Sequence, residues 1–214
     1  MALKIGLTRF LGTNCDDDIK KWVELKSHQA TYLWYQDQFD MNDYDMVIIP
    51  GGFSHGDYLR CGALAAKTPV MKSVRDFSLK GKPVLGICNG FQILCEAQLL
   101  PGALLRNKGL KFRDGFVDLT SHKKNTPFSV DVEPQQKMRL PIAHGEGCYY
   151  ADTDQLKKMN DHDQVWLTYD QNPNGSLLDI AGVVNSTGNV CGLMPHPERA
   201  LFSWMGSTDG RYFL

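Results

Sequence analysis

Two short runs, Met46-Val47-Ile48-Ile49 and Val84-Leu85-Gly86-Ile87, carry no polar side chain, and each leads into a glycine-bearing turn. A strand with one wet face alternates polar and apolar residues. A strand with no polar face must be covered on both sides, as in a parallel sheet packed between layers of helix. The segments around these runs agree. Lys4 to Leu7 and Ala30 to Trp34 read as strands. Thr13-Asn14 before Asp16-Asp17-Asp18 reads as a helix start with acids in its first turn, followed by Ile19, Trp22, Val23 and Leu25 at helical spacing. Val70 to Leu79 and Gly90 to Leu99 read as two further helices. Strands alternating with helices predict an α/β fold built on a doubly wound, mostly parallel sheet.

From Gly115 onward the texture changes. Short alternating strands are expected at Phe116 to Leu119, Phe128 to Val132, Val165 to Tyr169, Ile180 to Val184 and Val190 to Met194, with turns such as Asn172-Pro173-Asn174-Gly175 between them. This predicts an antiparallel extension in the second half. No internal repeat or linker-like tract interrupts the chain, so residues 1–214 are read as one domain.

Charge and cysteine usage narrow the function. Lys and Arg number 23 against 24 Asp and Glu, for a net charge of −1. Neither the balance nor its distribution offers the basic surface expected of a nucleic-acid or membrane-surface partner. No run approaches the ~18 apolar residues of a membrane span, and Met1 to Leu7 lacks a secretory apolar region. The six cysteines, Cys15, Cys61, Cys88, Cys95, Cys148 and Cys191, are scattered and form no C-x-x-C pair. The expectation is a soluble cytoplasmic protein whose cysteines are mostly buried and unpaired.

One cysteine stands apart. Gly86-Ile87-Cys88-Asn89-Gly90 places Cys88 between a buried strand and a helix, flanked by small residues. This is the strand-elbow-helix turn that presents a nucleophile, with Cys in the position Ser takes in hydrolases. The positive end of the helix dipole favours an anion there. The competing reading is a buried structural thiol. A thiolate nucleophile needs a base that later protonates the leaving group. Met194-Pro195-His196-Pro197-Glu198-Arg199 supplies an imidazole with a carboxylate two residues on, able to orient it. His144-Gly145-Glu146 has the same spacing, so spacing alone does not choose between them. The His-x-Glu of zinc deaminases is accompanied by P-C-x-x-C, which is missing here, and no metal site is expected. Donors for an oxyanion are sought at the backbone N–H of Asn89 and in the loop Pro50-Gly51-Gly52-Phe53.

In chain order, Pro50-Gly51-Gly52, Gly86-Ile87-Cys88-x-Gly90-x-Gln92 and His196-Pro197-Glu198 resemble the triad-type, class I glutamine amidotransferases. Three longer segments narrow the likeness: Pro50-Gly51-Gly52-Phe53-Ser54-x-Gly56-Asp57-Tyr58-Leu59-Arg60, Ala143-His144-Gly145-Glu146-Gly147 and Gly192 to Arg199. These are similar to the glutaminase subunits of phosphoribosylformylglycinamidine synthases in purine biosynthesis. The resemblance implies the flavodoxin-like glutaminase fold and Cys88 as nucleophile, with His196 and Glu198 completing a triad. It also implies Gly52 and Asn89 as oxyanion donors and Gln92 among the groups that hold glutamine. It further implies a large ATP-dependent synthase subunit that receives the ammonia, and a small third subunit. ATP and Mg would be used by the synthase partner, with no cofactor in this chain, which has no Walker A sequence. His55 departs from the family, which more often has Tyr there. Two other readings compete: a stand-alone cysteine hydrolase of the same fold, and a non-catalytic regulatory module.

Overall fold

The computed structural model describes residues 2–122, 126–129 and 132–214. The strands are β1 Lys4–Arg9, β2 Gln29–Trp34, β3 Met46–Ile49, β4 Val84–Ile87, β5 Ala103–Leu105, β6 Arg113–Ser121, β7 Lys137–His144, β8 Cys148–Tyr150, β9 Val165–Tyr169, β10 Ile180–Val184 and β11 Val190–Leu193. The helices are α1 Asp16–Leu25, α2 Pro69–Leu79, α3 Asn89–Glu96 and α4 Thr153–Asp161.

Among the described residues, nine strands form one sheet in the order β2-β1-β3-β4-β11-β10-β9-β6-β7, and β5 pairs with β8 apart from it. From β2 through β11 every pairing is parallel; from β11 to β7 every pairing is antiparallel. The expected α/β class, the mostly parallel half and the antiparallel extension are all present. Every residue of β3, β4 and β11 is buried, which accounts for their unbroken apolar sequence. Helices cover the parallel half of the sheet with Ile19, Trp22 and Val23 from α1, Val70, Val74 and Phe77 from α2, and Phe91, Ile93 and Leu94 from α3. Burial of such side chains contributes roughly 1.5–3 kcal/mol each before entropy is counted.

The sheet order has a direct consequence for chemistry. β3, β4 and β11 are adjacent and parallel, so their C-terminal ends lie side by side. The segments leaving those ends are Pro50-Gly51-Gly52, Cys88-Asn89 and Met194 to Arg199. Three motifs far apart in sequence therefore meet on the edge where α/β sheets bind ligands.

Several expectations are corrected. Helix α1 begins at Asp16, with Cys15 rather than Thr13 or Asn14 at its cap and no side-chain capping bond. The Thr13 hydroxyl instead accepts from Phe10 N–H at 2.9 Å, and Thr13 forms an isolated bridge with Gly52. Helix α3 ends at Glu96, before the expected Leu99. No strand is found at Phe128, Ser129 or Val132. The Thr126 hydroxyl accepts from Phe128 N–H and contacts the Ser129 hydroxyl, a local arrangement that competes with strand pairing. Residues 130 and 131 of that expected strand lie outside the described residues. Strands β5, β7 and β8 and helix α4 were not anticipated.

Candidate active site

Cys88 sits at the cap of α3 with φ 51° and ψ −106°, a left-handed conformation that costs a non-glycine residue energy. The turn is held by Cys88 N–H donating to Leu193 O at 2.8 Å and by Phe91 N–H donating to Cys88 O at 3.0 Å. Its flanking glycine is required by close packing: a Cβ on Gly90 would lie 1.9 Å from the carbonyl oxygen of Ile49. Helix α3 can thus press against β3 only with glycine at that position. The Cys88 thiol contacts the carbonyl of Ala143 at 3.8 Å and opens on a cavity of about 320 Å³.

His196 and Glu198 come together beside it. His196 Nδ1 and Glu198 Oε1 are 2.6 Å apart, and both side chains are almost wholly buried. The short helical turn Pro197–Arg199 folds Glu198 back onto the imidazole, and His196 N–H is anchored on Pro141 O of β7 at 2.8 Å. Burial opposes a charge on His196. The Glu198 carboxylate and the adjoining Cys88 and Cys15 thiols outweigh it and raise the His196 pKa well above the usual imidazole value. His196 Nε2 makes no hydrogen bond within the protein, and Cys88 and Cys15 lie near the ring. An imidazole with a buried carboxylate on Nδ1 and a free Nε2 can take, hold and return a proton.

The second pair of the same spacing is built differently. His144 is buried and lines the same cavity, but its Nδ1 meets Asn107 Oδ1 at 3.1 Å. Glu146 points elsewhere: Arg106 Nε lies 3.5 Å from its Oε1, and Cys61 N–H donates to Oε2 at 3.4 Å. Burial, helped by the neighbouring His196, pushes the His144 pKa down to about 4. Such a group is neutral at pH 7.

Of the two expected oxyanion donors, Gly52 lines the cavity and Asn89 follows Cys88 at the start of α3. Gly51 O accepts from Asn14 N–H at 3.4 Å and Cys15 N–H at 3.3 Å. In a trans peptide the carbonyl and the following N–H point in opposite directions, so the Gly52 N–H is turned away from residues 14 and 15. Gly52 itself, at φ 147°, lines the cavity with Cys88. A Cβ on its neighbour Gly51 would lie 3.4 Å from Cys88 Cβ and 2.9 Å from His196 Cε1. The Asn89 N–H is the first of α3, one of the terminal groups that a helix leaves without an internal acceptor. Gln92 also lines the cavity. Its oxygen accepts from Asn89 Nδ2 at 2.8 Å, and its nitrogen donates to Glu146 O at 2.5 Å, leaving one amide hydrogen for a ligand.

Sequence reasoning left three contributors without a role. Cys15 lies between Asn14 Oδ1 and the Arg199 guanidinium, both at 3.2 Å, and its Sγ comes within 4.8 Å of donor atoms of His196 and Glu198. Among the described residues this is the one set of three donor atoms able to hold a metal ion, and an ion there would have to break the His196–Glu198 bond. Asp57 lines the cavity, where burial and the charge of Glu146 raise its pKa; hydrogen bonds from Cys61 and Asn89 act against that rise. Asn107 carries no local signal, because it works on a histidine 37 positions away.

Comparison with known proteins agrees with this assembly. Residues 2–211 match the CobB/CobQ-like glutamine amidotransferase domain family. The chain is 49% identical over 214 residues to phosphoribosylformylglycinamidine synthase subunit PurQ of Prochlorococcus marinus subsp. pastoris, covering 100% of this chain and 96% of that protein. It is 48% identical over 212 residues to the same subunit of Helicobacter hepaticus, covering 99% and 96%. A chain in the structure of PurLQS from Thermotoga maritima superposes with a TM-score of 0.91 at 42% identity, over 99% of this chain and 95% of that one. Among the described residues no helix is long and apolar enough to cross a membrane. With its elbow cysteine, its buried histidine–glutamate pair and near-full-length likeness to PurQ subunits, the chain belongs to the CobB/CobQ-like glutamine amidotransferase family.

Proposed function

We propose that this chain, acting as a single glutaminase domain, hydrolyses glutamine to glutamate and ammonia through a thioester on Cys88. It serves as the glutaminase subunit of phosphoribosylformylglycinamidine synthase in purine biosynthesis. The observation that carries the reading is the buried His196–Glu198 pair at 2.6 Å beside a strained Cys88 on an open cavity.

The steps follow from the groups present. His196 takes the Cys88 proton, and the thiolate attacks the carboxamide carbon of glutamine. The resulting oxyanion is held by the Gly52 and Asn89 N–H groups. His196 returns the proton to the amide nitrogen, the C–N bond breaks, and ammonia leaves a thioester behind. A water molecule, deprotonated by His196, then attacks the thioester; glutamate departs and Cys88 recovers its proton. Glu198 stabilises the imidazolium at both stages, and Gln92 holds the cavity wall against which glutamine lies.

Free ammonia in neutral water becomes ammonium, which is not nucleophilic, so the product has use only when an acceptor enzyme is docked. The partners are a large synthase subunit, which uses ATP and Mg, and a small third subunit, as the PurLQS assembly of the Thermotoga relative suggests. The setting is the cytoplasm, and this chain needs no cofactor of its own. Cys88→Ala tests the reading. It should abolish glutamine-dependent synthesis by the assembled complex and spare synthesis fed with ammonium salt. Loss of both activities from an intact complex would contradict the assignment.

A further inference from the structure

The glutaminase reading leaves one buried group of the cavity without a task. His144 is 3% exposed, and its Nε2 is buried with no hydrogen-bond partner in the protein. Its protonation state follows from its neighbours. Asn107 donates both hydrogens of its amide nitrogen to carbonyls, Lys111 O at 3.0 Å and His144 O at 2.8 Å. Its oxygen accepts from Gly147 N–H at 2.9 Å. The amide orientation is thereby fixed, and Asn107 Oδ1 can only accept from the imidazole. The proton of neutral His144 therefore sits on Nδ1, and Nε2 carries a bare lone pair. Burial holds the ring neutral, with its pKa down at about 4.

A buried acceptor without a donor is unfavourable until something fills it. His144 lines the cavity onto which Cys88 opens, and the carbonyl of the adjacent Ala143 touches the Cys88 thiol. Bound glutamine offers two donors, its α-ammonium and its carboxamide nitrogen. The cation has charged acceptors on the same cavity in Asp57 and Glu146. The carboxamide nitrogen lies one bond from the carbon that Cys88 attacks.

We propose, resting on the glutaminase reading, that His144 Nε2 accepts a hydrogen bond from the carboxamide nitrogen of bound glutamine. The contact sets the rotation of the amide: oxygen toward the Gly52 and Asn89 N–H groups, nitrogen toward His144. It also distinguishes substrate from product. In glutamate the nitrogen is replaced by a carboxylate oxygen, which would set lone pair against lone pair and weaken retention. His144 is then a second histidine of the site that reads the leaving group while His196 moves the proton.

The test compares two substrates of the assembled complex, glutamine and the γ-methyl ester of glutamate, which has no hydrogen on its leaving atom. His144→Ala should lower kcat/KM for glutamine by roughly 10–100-fold and for the ester by less than about threefold. Equal losses on both substrates, or no loss on glutamine, would overturn the assignment. A second measurement needs no substitution at His144. With histidine labelled in a Cys88→Ala complex, glutamine should shift the His144 Nε2 resonance in the direction of an accepted hydrogen bond, and the ester should not. The same response to both ligands, or to neither, would also overturn it. A wild-type complex that releases no glutamate from glutamine would remove the glutaminase reading and this proposal together; normal release with an unchanged amide-to-ester ratio would remove this proposal alone.

Discussion

His196-Pro197-Glu198 and His144-Gly145-Glu146 share one spacing and end in opposite electrostatic states. In the first, a tight helical turn after β11 brings Nδ1 and carboxylate to 2.6 Å, and the imidazole pKa rises. In the second, β7 ends at His144, the histidine is held by an amide, and Glu146 turns to Arg106 and Cys61. The imidazole pKa falls to about 4. Two residues of separation do not make a pair. The backbone between them decides, and proline in one segment and glycine in the other lead that backbone to different places.

The largest expected effect falls on the first pair. His196→Ala should lower glutamate release by about 10²–10⁴-fold, and the γ-ester should suffer as much as glutamine because the proton carrier serves both. If the ester were spared, His196 would be the leaving-group reader and the roles assigned to the two histidines would be exchanged.

Stability should depend on pH with opposite slopes at the two rings. His144 is held below its unfolded value of about 6.5, so the unfolded chain binds more protons between pH 6.5 and 4. Its contribution is complete above pH 6.5 and falls as pH drops toward 4, by about 3 kcal/mol. His196 is raised, so its contribution is complete below pH 6.5 and is lost as pH climbs through the raised value. Denaturant midpoints across pH should show the acid slope flattened in His144→Asn and the alkaline slope flattened in His196→Asn. Slopes unchanged by either substitution would show that the rings titrate alike in folded and unfolded chains.

The carboxylates should separate next. Glu198→Gln keeps the shape and removes a buried charge from His196; kcat should fall by roughly 10–100-fold, less than in His196→Ala. Glu146→Gln should act instead on binding, raising KM for glutamine by about 10-fold with little change in kcat. A kcat defect in Glu146→Gln equal to that of Glu198→Gln would mean that both carboxylates serve the proton carrier.

Much of this frame was legible in the sequence wherever one local pattern dominates. β3 and β4 read cleanly because unbroken apolar runs stop at glycine-bearing turns, and β9 and β10 because they alternate or are bounded by polar turns. β7 escaped because Pro141 and the charged Lys137 and Arg139 disguise it; as the edge strand of the sheet it tolerates all three. α4 escaped because it buries only Met159 and has almost no apolar stripe. In the site, Cys88 was visible from its own neighbours. What remained hidden was pairing at a distance: Asn107 on His144, Glu146 on Arg106, and Cys15 beside His196. Such contacts are set by the sheet order, which no short window of sequence contains.

The contrast between the two histidines is tested most directly by the nitrogen resonances of the labelled imidazoles, followed from pH 5 to 9 in the wild-type chain. The account predicts that His196 holds its second proton to a higher pH than an ordinary imidazole, whereas His144 is neutral at pH 7 with its single proton on Nδ1. Two rings titrating together near pH 6.5, or His144 charged while His196 is neutral, would contradict it.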